Sequence, residues 1–351
     1  MKVKTNVPAL DNMLRGGLVP GLHCVTGGPS SYKTAMLLQL AYLAALDGAA
    51  VEYISDEIGI AEIYARLITR KMYVESLRQL TEPCGDYAWS EIGELFAMAS
   101  EGQPAPYDDV FPDVSDEEGF LSLLNAAIDD IREVVRDDVL GNAHKVLHVS
   151  EMGGRLEDDW SHHDTFEFLF GAHDRYFTSV RRMCAELARD DGNNIFDDKL
   201  HGNADLIIID PVNSLRTCEW QGYSEMVRDN TPESKRALME EIVDDLDNWG
   251  RSTNTAIVGV FHGPRDGKYP NHPSMQDFKE SSRVEYRAVS AWKLVRADDM
   301  RWSGHPKPPR LAEGMEAVGL FLLKSRTGLR TEPNKPIWMA ADGAHNLLMP
   351  L

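Results

Sequence analysis

The chain has 351 residues, 43% of them hydrophobic and 26% charged, with a formal net charge of −20. This fits a soluble globular protein long enough for one large core or two modest ones. Its four cysteines, Cys24, Cys84, Cys184 and Cys218, lie far apart without a CxxC pair, which excludes a disulfide framework or a zinc ribbon and fits a reducing compartment.

The opening "MKVKTNVPAL" carries two lysines but no apolar stretch, so no secretory leader and a cytoplasmic location are expected. The most apolar run, "AMLLQLAYLAAL", is interrupted by Gln39 and too short to cross a bilayer, and no membrane partner is expected. The charge is unevenly spread. Residues 101–160 hold 16 Asp/Glu against 4 Lys/Arg, whereas residues 263–330 hold 13 Lys/Arg against 8 Asp/Glu. A polyanion is compatible with the second region only.

In chain order, "LHCVTGG" is a buried strand running into a glycine turn, and Lys33 to about Leu46 is a helix rich in Ala, Leu and Met. "AVEYISDE" is the next strand and "IAEIYARLITRKM" the next helix, which gives the βαβ rhythm of a parallel sheet. The stretch of about 80–200 is less regular. It contains the Pro- and Asp-rich "GQPAPYDDVFPDVSDEEG" and two helical patterns, "FLSLLNAAIDDIREVVRDDV" and "FTSVRRMCAELARDDG". We read it as an acidic, partly helical insertion on a single α/β domain spanning 1–351. Four more continuous apolar strands follow at 204–210, 254–262, 289–296 and 317–326, as for strands covered on both faces.

Gly27-Gly28-Pro29-Ser30-Ser31-Tyr32-Lys33-Thr34 fits GxxxxGK[ST] except at the second glycine, where Tyr32 stands. In such a loop backbone N–H groups bind phosphate oxygens. The lysine reaches the β- and γ-phosphates and the threonine hydroxyl ligates Mg2+. The second glycine does no chemistry itself, so Tyr32 fits if its φ is negative and its ring points outward. Without its context the segment also reads as a Ser/Pro turn ahead of a helix. Asp210 ends the strand "ADLIIID" and suits a carboxylate that holds Mg2+ through water; a turn or cap residue is the alternative. Glu57 follows the second strand, where a carboxylate can orient the water attacking a γ-phosphate; otherwise it is a surface charge beside Asp56. The histidines of "WSHHDTFEF" have no matching ligand cluster and read as surface residues.

These segments together resemble the RecA-like ATPase core of DnaB-type replicative helicases and their plasmid and phage relatives. "VPALDNMLRGGLVPGLHCVTGGPSSYKT" is similar to the family's entry segment, and "YISDEIGIAEIYARL" to its strand, catalytic glutamate and following helix. "HPSMQDFKESSRVEYRA" resembles P-x-x-x-DLRES-x-x-IE, with Lys279 where Arg is usual, and "FLLKSRTG" resembles the KQRNG segment. The match covers about 1–80 and 204–330, with the segments in the family's order.

The resemblance implies a RecA-like doubly wound, mainly parallel sheet with flanking helices, using ATP and Mg2+. It implies a homo-oligomer, as a hexameric ring, acting on single-stranded DNA. It places Glu57 on the catalytic glutamate, Lys324 and Arg326 on residues reaching a neighbouring subunit's nucleotide, and His262 where a glutamine senses the γ-phosphate. A neutral imidazole donates one hydrogen bond, so sensing survives and becomes pH-dependent; a satisfied strand-end histidine is the alternative. The loops "SLRTCEWQGYSEMVRDN" and "GPRDGKYPNHPSMQDFK" would line a central channel. They supply Arg216, Arg228, Arg265, Lys268 and Lys279 for phosphates, and Trp220 and Tyr223 for stacking. No N-terminal domain is expected ahead of the core, and with it no primase or loader docking through one. The acidic insertion is the candidate surface for replication or other protein partners. Two other readings stay open: an ATP-dependent recombinase-like or clock-like switch without unwinding, and a partner-binding module with a decayed loop. Intact Lys33, Thr34, Glu57 and Asp210 disfavour the last.

Overall fold

The computed structural model describes residues 2–55, 57–58, 60–79, 88, 90–91, most of 123–131, 147–151, 204–214, 232–262, 272–278 and 283–351 apart from 303, 327 and 333. Among the described residues, nine strands form one sheet in the order β3-β2-β4-β5-β1-β6-β7-β8-β9. They are β1 (Gly21–Gly27), β2 (Val51–Ser55), β3 (Leu147–Glu151), β4 (Leu206–Asp210), β5 (Ala256–His262), β6 (Ser290–Arg296), β7 (Glu316–Ser325), β8 (Ile337–Asp342) and β9 (Leu347–Pro350). Strands β1 to β6 pair in parallel, and β7, β8 and β9 extend the sheet antiparallel.

Helices cover both faces. The main ones are α2 (Lys33–Leu46) and α3 (Ile60–Gln79); α4 (Pro232–Ser252) follows β4, and α1 (Pro8–Met13) and α5 (Arg283–Arg287) are short. Alternate residues of one strand feed different cores. Leu206 and Ile208 of β4 join Leu37, Leu40 and Ile63 on one side, while Ile207 and Ile209 join Ile242, Val243 and Leu246 of α4 on the other. This explains why the strands read as unbroken apolar runs.

The sequence reading and the structure agree on the start and end of α2 and, within a few residues, on the other expected strands. They differ inside 80–200, where residues 147–151 form β3 and pair in parallel with β2 at the sheet edge. The proposed insertion therefore contains a strand of the core sheet, in a five-residue run too short to stand out. Leu124, Ala127 and Ile131 of the first helical pattern are buried against the core; the second pattern, at 177–192, lies outside the described residues, as do Cys84, Cys184, Cys218 and the histidines of "WSHHDTFEF". Helix α4 and strands β8 and β9 are additions that the sequence reading leaves unassigned.

Helix α2 is buried nearly all round, consistent with its even apolar composition. Its one polar residue in that run, Gln39, is satisfied at the sheet edge. The side-chain amide donates to Leu348 O at 2.7 Å and accepts from Leu348 N at 3.0 Å, standing in for a strand neighbour of β9. Among the described residues no helix is long and apolar enough to cross a membrane.

A buried polar chain pins the sheet centre. Trp292 Nε1 donates to Ser290 Oγ at 2.8 Å, Ser290 Oγ lies 2.7 Å from His23 Nδ1, and His23 Nε2 donates to Val19 O at 2.8 Å. The tautomer with the proton on Nε2 satisfies every partner without a charge. Burial, opposed by the Val19 carbonyl, lowers the His23 pKa to about 4 from its ordinary 6.5. Between those values the unfolded chain binds a proton that the folded chain refuses, so stability falls as pH drops from about 6.5 to about 4. The two values imply a loss of roughly 3 kcal/mol from this group at the bottom of the window. Melting curves at about pH 7 and about pH 4 should show His23→Gln losing less stability than the wild type over that interval. Equal losses would remove His23 from the acid response.

Candidate active site

The parallel strands bring their carboxyl ends to one edge, where β1, β2, β4 and β5 deliver Gly27, Ser55, Asp210 and His262. The loop from Gly27 leads straight into α2, whose first turn presents Lys33 and Thr34. Gly27 is obligatory. A Cβ there would run into Ser31 Oγ and stand 2.8 Å from Leu294 O.

Lys33 folds back over its own loop and donates to Gly28 O at 2.9 Å and Gly27 O at 3.1 Å. Its ammonium is buried, and desolvation lowers its pKa while Asp210 and Glu57 oppose the shift. Thr34 Oγ1 donates to Asp210 Oδ2 at 2.9 Å, and the Tyr53 hydroxyl donates to the same oxygen at 3.0 Å. Burial raises the Asp210 pKa, with the Thr34 and Tyr53 hydrogen bonds and Lys33 pulling it back. Asp210 Oδ1 is buried and accepts no hydrogen bond from the described residues. An oxygen-only donor set beside a lysine and a helix start fits Mg2+ with a nucleotide phosphate, and Thr34 and Asp210 are the residues that would hold the ion.

Glu57 reaches the same edge from the end of β2. Its Oε1 lies 2.9 Å from His262 Nε2, and both side chains are partly exposed. The backbone N–H of His262 donates to Asn213 Oδ1 at 2.7 Å, which fixes the strand end relative to the segment after Asp210.

Lys324 and Arg326 do not join this cluster. Ser325 pairs with Ser290, which pairs with His23, whereas the loop begins at Gly27, four residues further along β1. That separation alone is roughly 13 Å along the strands. Both cations sit at the far edge of the sheet and cap α5. Lys324 Nζ donates to Glu285 O at 2.6 Å, and Arg326 Nη2 donates to Arg287 O at 2.8 Å and lies 4.0 Å from Asp247 Oδ2. Arg216, Arg228, Arg265, Lys268 and Lys279, with Trp220 and Tyr223, lie outside the described residues.

One expectation is overturned. Tyr32 does not take a negative φ with its ring directed outward; it adopts φ 67 and ψ 23, the left-handed turn of the missing glycine. Its ring packs against the core cluster and against Gly343. The turn into α2 dictates this geometry whatever residue occupies it, and a non-glycine there is destabilised by roughly 1–2 kcal/mol. Tyr53 and Asn213 are additions that the sequence reading missed. Tyr53 is hidden in a strand where any aromatic fits, and Asn213 is marked only by its closeness to Asp210.

Fold and loop together define a RecA-like α/β core with a phosphate-loop motif at the carboxyl edge of its sheet. No family model and no curated protein matches the sequence. Among solved structures, the chain is similar to one described as an ATPase domain, with a TM-score of 0.60 at 16% identity over 100% of this chain and 92% of that one. It is also similar to a DnaB-like replicative helicase whose structure was described with its interactions with primase. There the TM-score is 0.63 at 16% identity, covering 100% of this chain and 64% of that one. The likeness establishes the fold: the RecA-like core found in DnaB-type helicase ATPase domains.

Lys33→Ala should abolish ATP hydrolysis, and Glu57→Gln should keep nucleotide binding while stopping turnover, as read by phosphate release and by binding of labelled ATP. Wild-type turnover in Glu57→Gln would take Glu57 out of the chemistry. Tyr32→Gly should leave ATP affinity within about tenfold, since glycine accepts the left-handed turn and the phosphate contacts are main-chain. Complete loss of binding would make the tyrosine itself a nucleotide ligand.

Proposed function

We propose that the protein is an ATP-hydrolysing, ring-forming translocase of the DnaB-like helicase type, acting as a hexamer on single-stranded DNA in the cytoplasm. The observation that carries this reading is the division of catalytic groups between opposite edges of the sheet. Lys33, Thr34, Glu57, Asp210 and His262 converge at one edge, and Lys324 and Arg326 stand at the other. A chain built this way has an incomplete site by itself. A neighbour in a ring completes it by bringing its Lys324 and Arg326 to the phosphates.

In this reading the loop N–H groups from Gly28 to Lys33, Pro29 excepted, bind phosphate oxygens, and the Lys33 ammonium leaves its loop carbonyls to balance their charge. Thr34 and Asp210 would hold Mg2+, which would supply positive charge against the phosphates when nucleotide is bound. Glu57 orients the attacking water, and His262, whose Nε2 lies 2.9 Å from Glu57 Oε1, turns to the γ-phosphate. Arg216, Arg228, Arg265, Lys268 and Lys279 supply the channel's phosphate contacts. The acidic stretch within 80–200 receives replication or other protein partners.

The test is ATP hydrolysis with and without single-stranded DNA, together with a mass determination in Mg-ATP. Stimulation by DNA and a ring-sized mass support the proposal. Hydrolysis indifferent to DNA, with nucleotide-dependent assembly, would favour an ATP-driven switch without unwinding. The trans arrangement has its own signature. Arg326→Ala subunits should bind ATP and hydrolyse it several orders of magnitude more slowly, and mixing them with Glu57→Gln subunits should restore part of the activity. Absence of rescue in rings shown to be mixed would reduce Arg326 to a strand-end charge.

A further inference from the structure

Strands β5 and β6 flank β1 in parallel, and His262, Gly27 and Leu294 stand level at the end of the sheet that carries the phosphate loop. The segment from β5 to β6 and the segment from β6 to β7 therefore leave from one edge. The second of them, 297–315, carries its charge unevenly. From Met300 to Arg310 it reads "MRWSGHPKPPR", with Arg301, Lys307 and Arg310 and no acid; Glu313 follows in the turn before β7. The acids that flank this stretch are drawn to Arg296, which lies 3.9 Å from Asp298, 4.0 Å from Asp299 and 3.1 Å from Glu316. Arg301, Lys307 and Arg310 are exposed and make no ion pair among the described residues, in a chain whose net charge is −20.

The backbone that bears these cations is fastened. Trp302 is buried with Val295, Met300 and Phe321 and meets the Phe321 ring edge-on at 6.1 Å. Gly319 of β7 makes room for Met300, since a Cβ there would stand 2.6 Å from Met300 Cε. Trp302 also meets His272 edge-on, with ring centroids 5.9 Å apart. His272 belongs to the segment that follows β5, which Asp277 fastens in turn through Lys293 Nζ of β6 at 2.9 Å. Beyond Trp302, the three prolines of "HPKPPR" restrict the chain to an extended, polyproline-like course. Pro306 and Pro309 are partly buried while Lys307 and Arg310 are exposed, the repeat of three that such a course imposes. Lys307 and Arg310 thus share one ridge, roughly 9 Å apart.

We propose that Arg301, Lys307 and Arg310 form a further contact for single-stranded nucleic acid, outside the loops read as lining the channel and joined to one of them through Trp302 and His272. This contact presupposes that the protein acts on single-stranded DNA. Cations on a fixed backbone, with no internal partner, give up no ion pair when they meet a phosphate, and each releases counterions from the strand.

The test is binding of a fluorescein-labelled oligo(dT) strand to the full chain and to the Arg301→Ala, Lys307→Ala, Arg310→Ala triple variant, between about 50 and about 200 mM salt. The dependence of log affinity on log salt should be shallower by about 2 in the variant, which then loses roughly twentyfold less affinity than the wild type over that range. The double variant R301K with R310K should keep the wild-type slope, because a phosphate contact of this kind needs only the charge. ATP hydrolysis without DNA should be unchanged throughout, since none of the three belongs to the nucleotide site. Equal slopes in the wild type and the triple variant, or no binding by the wild type, would overturn the proposal. So would loss of binding to a polyglutamate peptide with DNA binding intact, which would make the ridge a protein surface. Equal slopes with hydrolysis still stimulated by DNA would remove the ridge and leave the translocase reading standing. A ridge-dependent slope with no stimulation of hydrolysis would do the reverse.

Discussion

The hydroxyls of Thr34 and Tyr53 meet on one oxygen of Asp210, and the arrangement of the whole site follows from that junction. It joins the first turn of α2 to the ends of β2 and β4, three elements that a parallel sheet brings to one edge. The junction also places two desolvated groups of opposite sign close together. Burial lowers the Lys33 pKa and raises that of Asp210, and each draws the other back towards its charged form. Such a pair is weak evidence for stability, because desolvation offsets much of the attraction, but removing one partner leaves the other buried and uncompensated. The site is thus tensioned for an incoming charge: one Asp210 oxygen lacks a hydrogen-bond donor among the described residues, and the lysine is held only by carbonyls of its own loop.

The opposite edge has a comparable economy of contacts. Asp247 is buried in α4 and accepts from Arg251 Nε at 2.9 Å, which leaves Arg326 at the margin of the same carboxylate. Lys324 and Arg326 are otherwise held by main-chain oxygens of α5, which are neutral acceptors. Burial lowers the Lys324 pKa, with Arg326 pushing the same way. These are the two cations that the proposed ring would bring to a neighbour's phosphates.

Much of this was legible in the sequence because parallel strands buried on both faces announce themselves as apolar runs, and because phosphate-loop residues sit at fixed spacing. Lys33, Thr34, Glu57, Asp210 and His262 converge as their order along the chain suggests. What the sequence concealed has physical reasons. Strand β3 is a short run inside an acidic stretch, and β8 and β9 join through a tight turn with no long apolar signal. The left-handed backbone of Tyr32 was missed because side-chain identity argued against it, whereas the turn into α2 imposes it. The contacts of Tyr53 and Asn213 depend on side-chain direction in space, which spacing along the chain does not encode.

Gln39 shows how one residue that looks out of place constrains association. By taking both the N–H and the carbonyl of Leu348, its amide occupies hydrogen-bonding positions on β9 that a strand from another molecule would need. Pro350, at the end of the same strand, has no N–H to offer. The antiparallel border of the sheet is therefore closed to strand addition, the commonest route by which an open sheet recruits a second copy unproductively. Any assembly of this chain at that border must form through side chains and helix faces, whose fit can be remade and released, instead of through a continuous ladder that would lock the copies together.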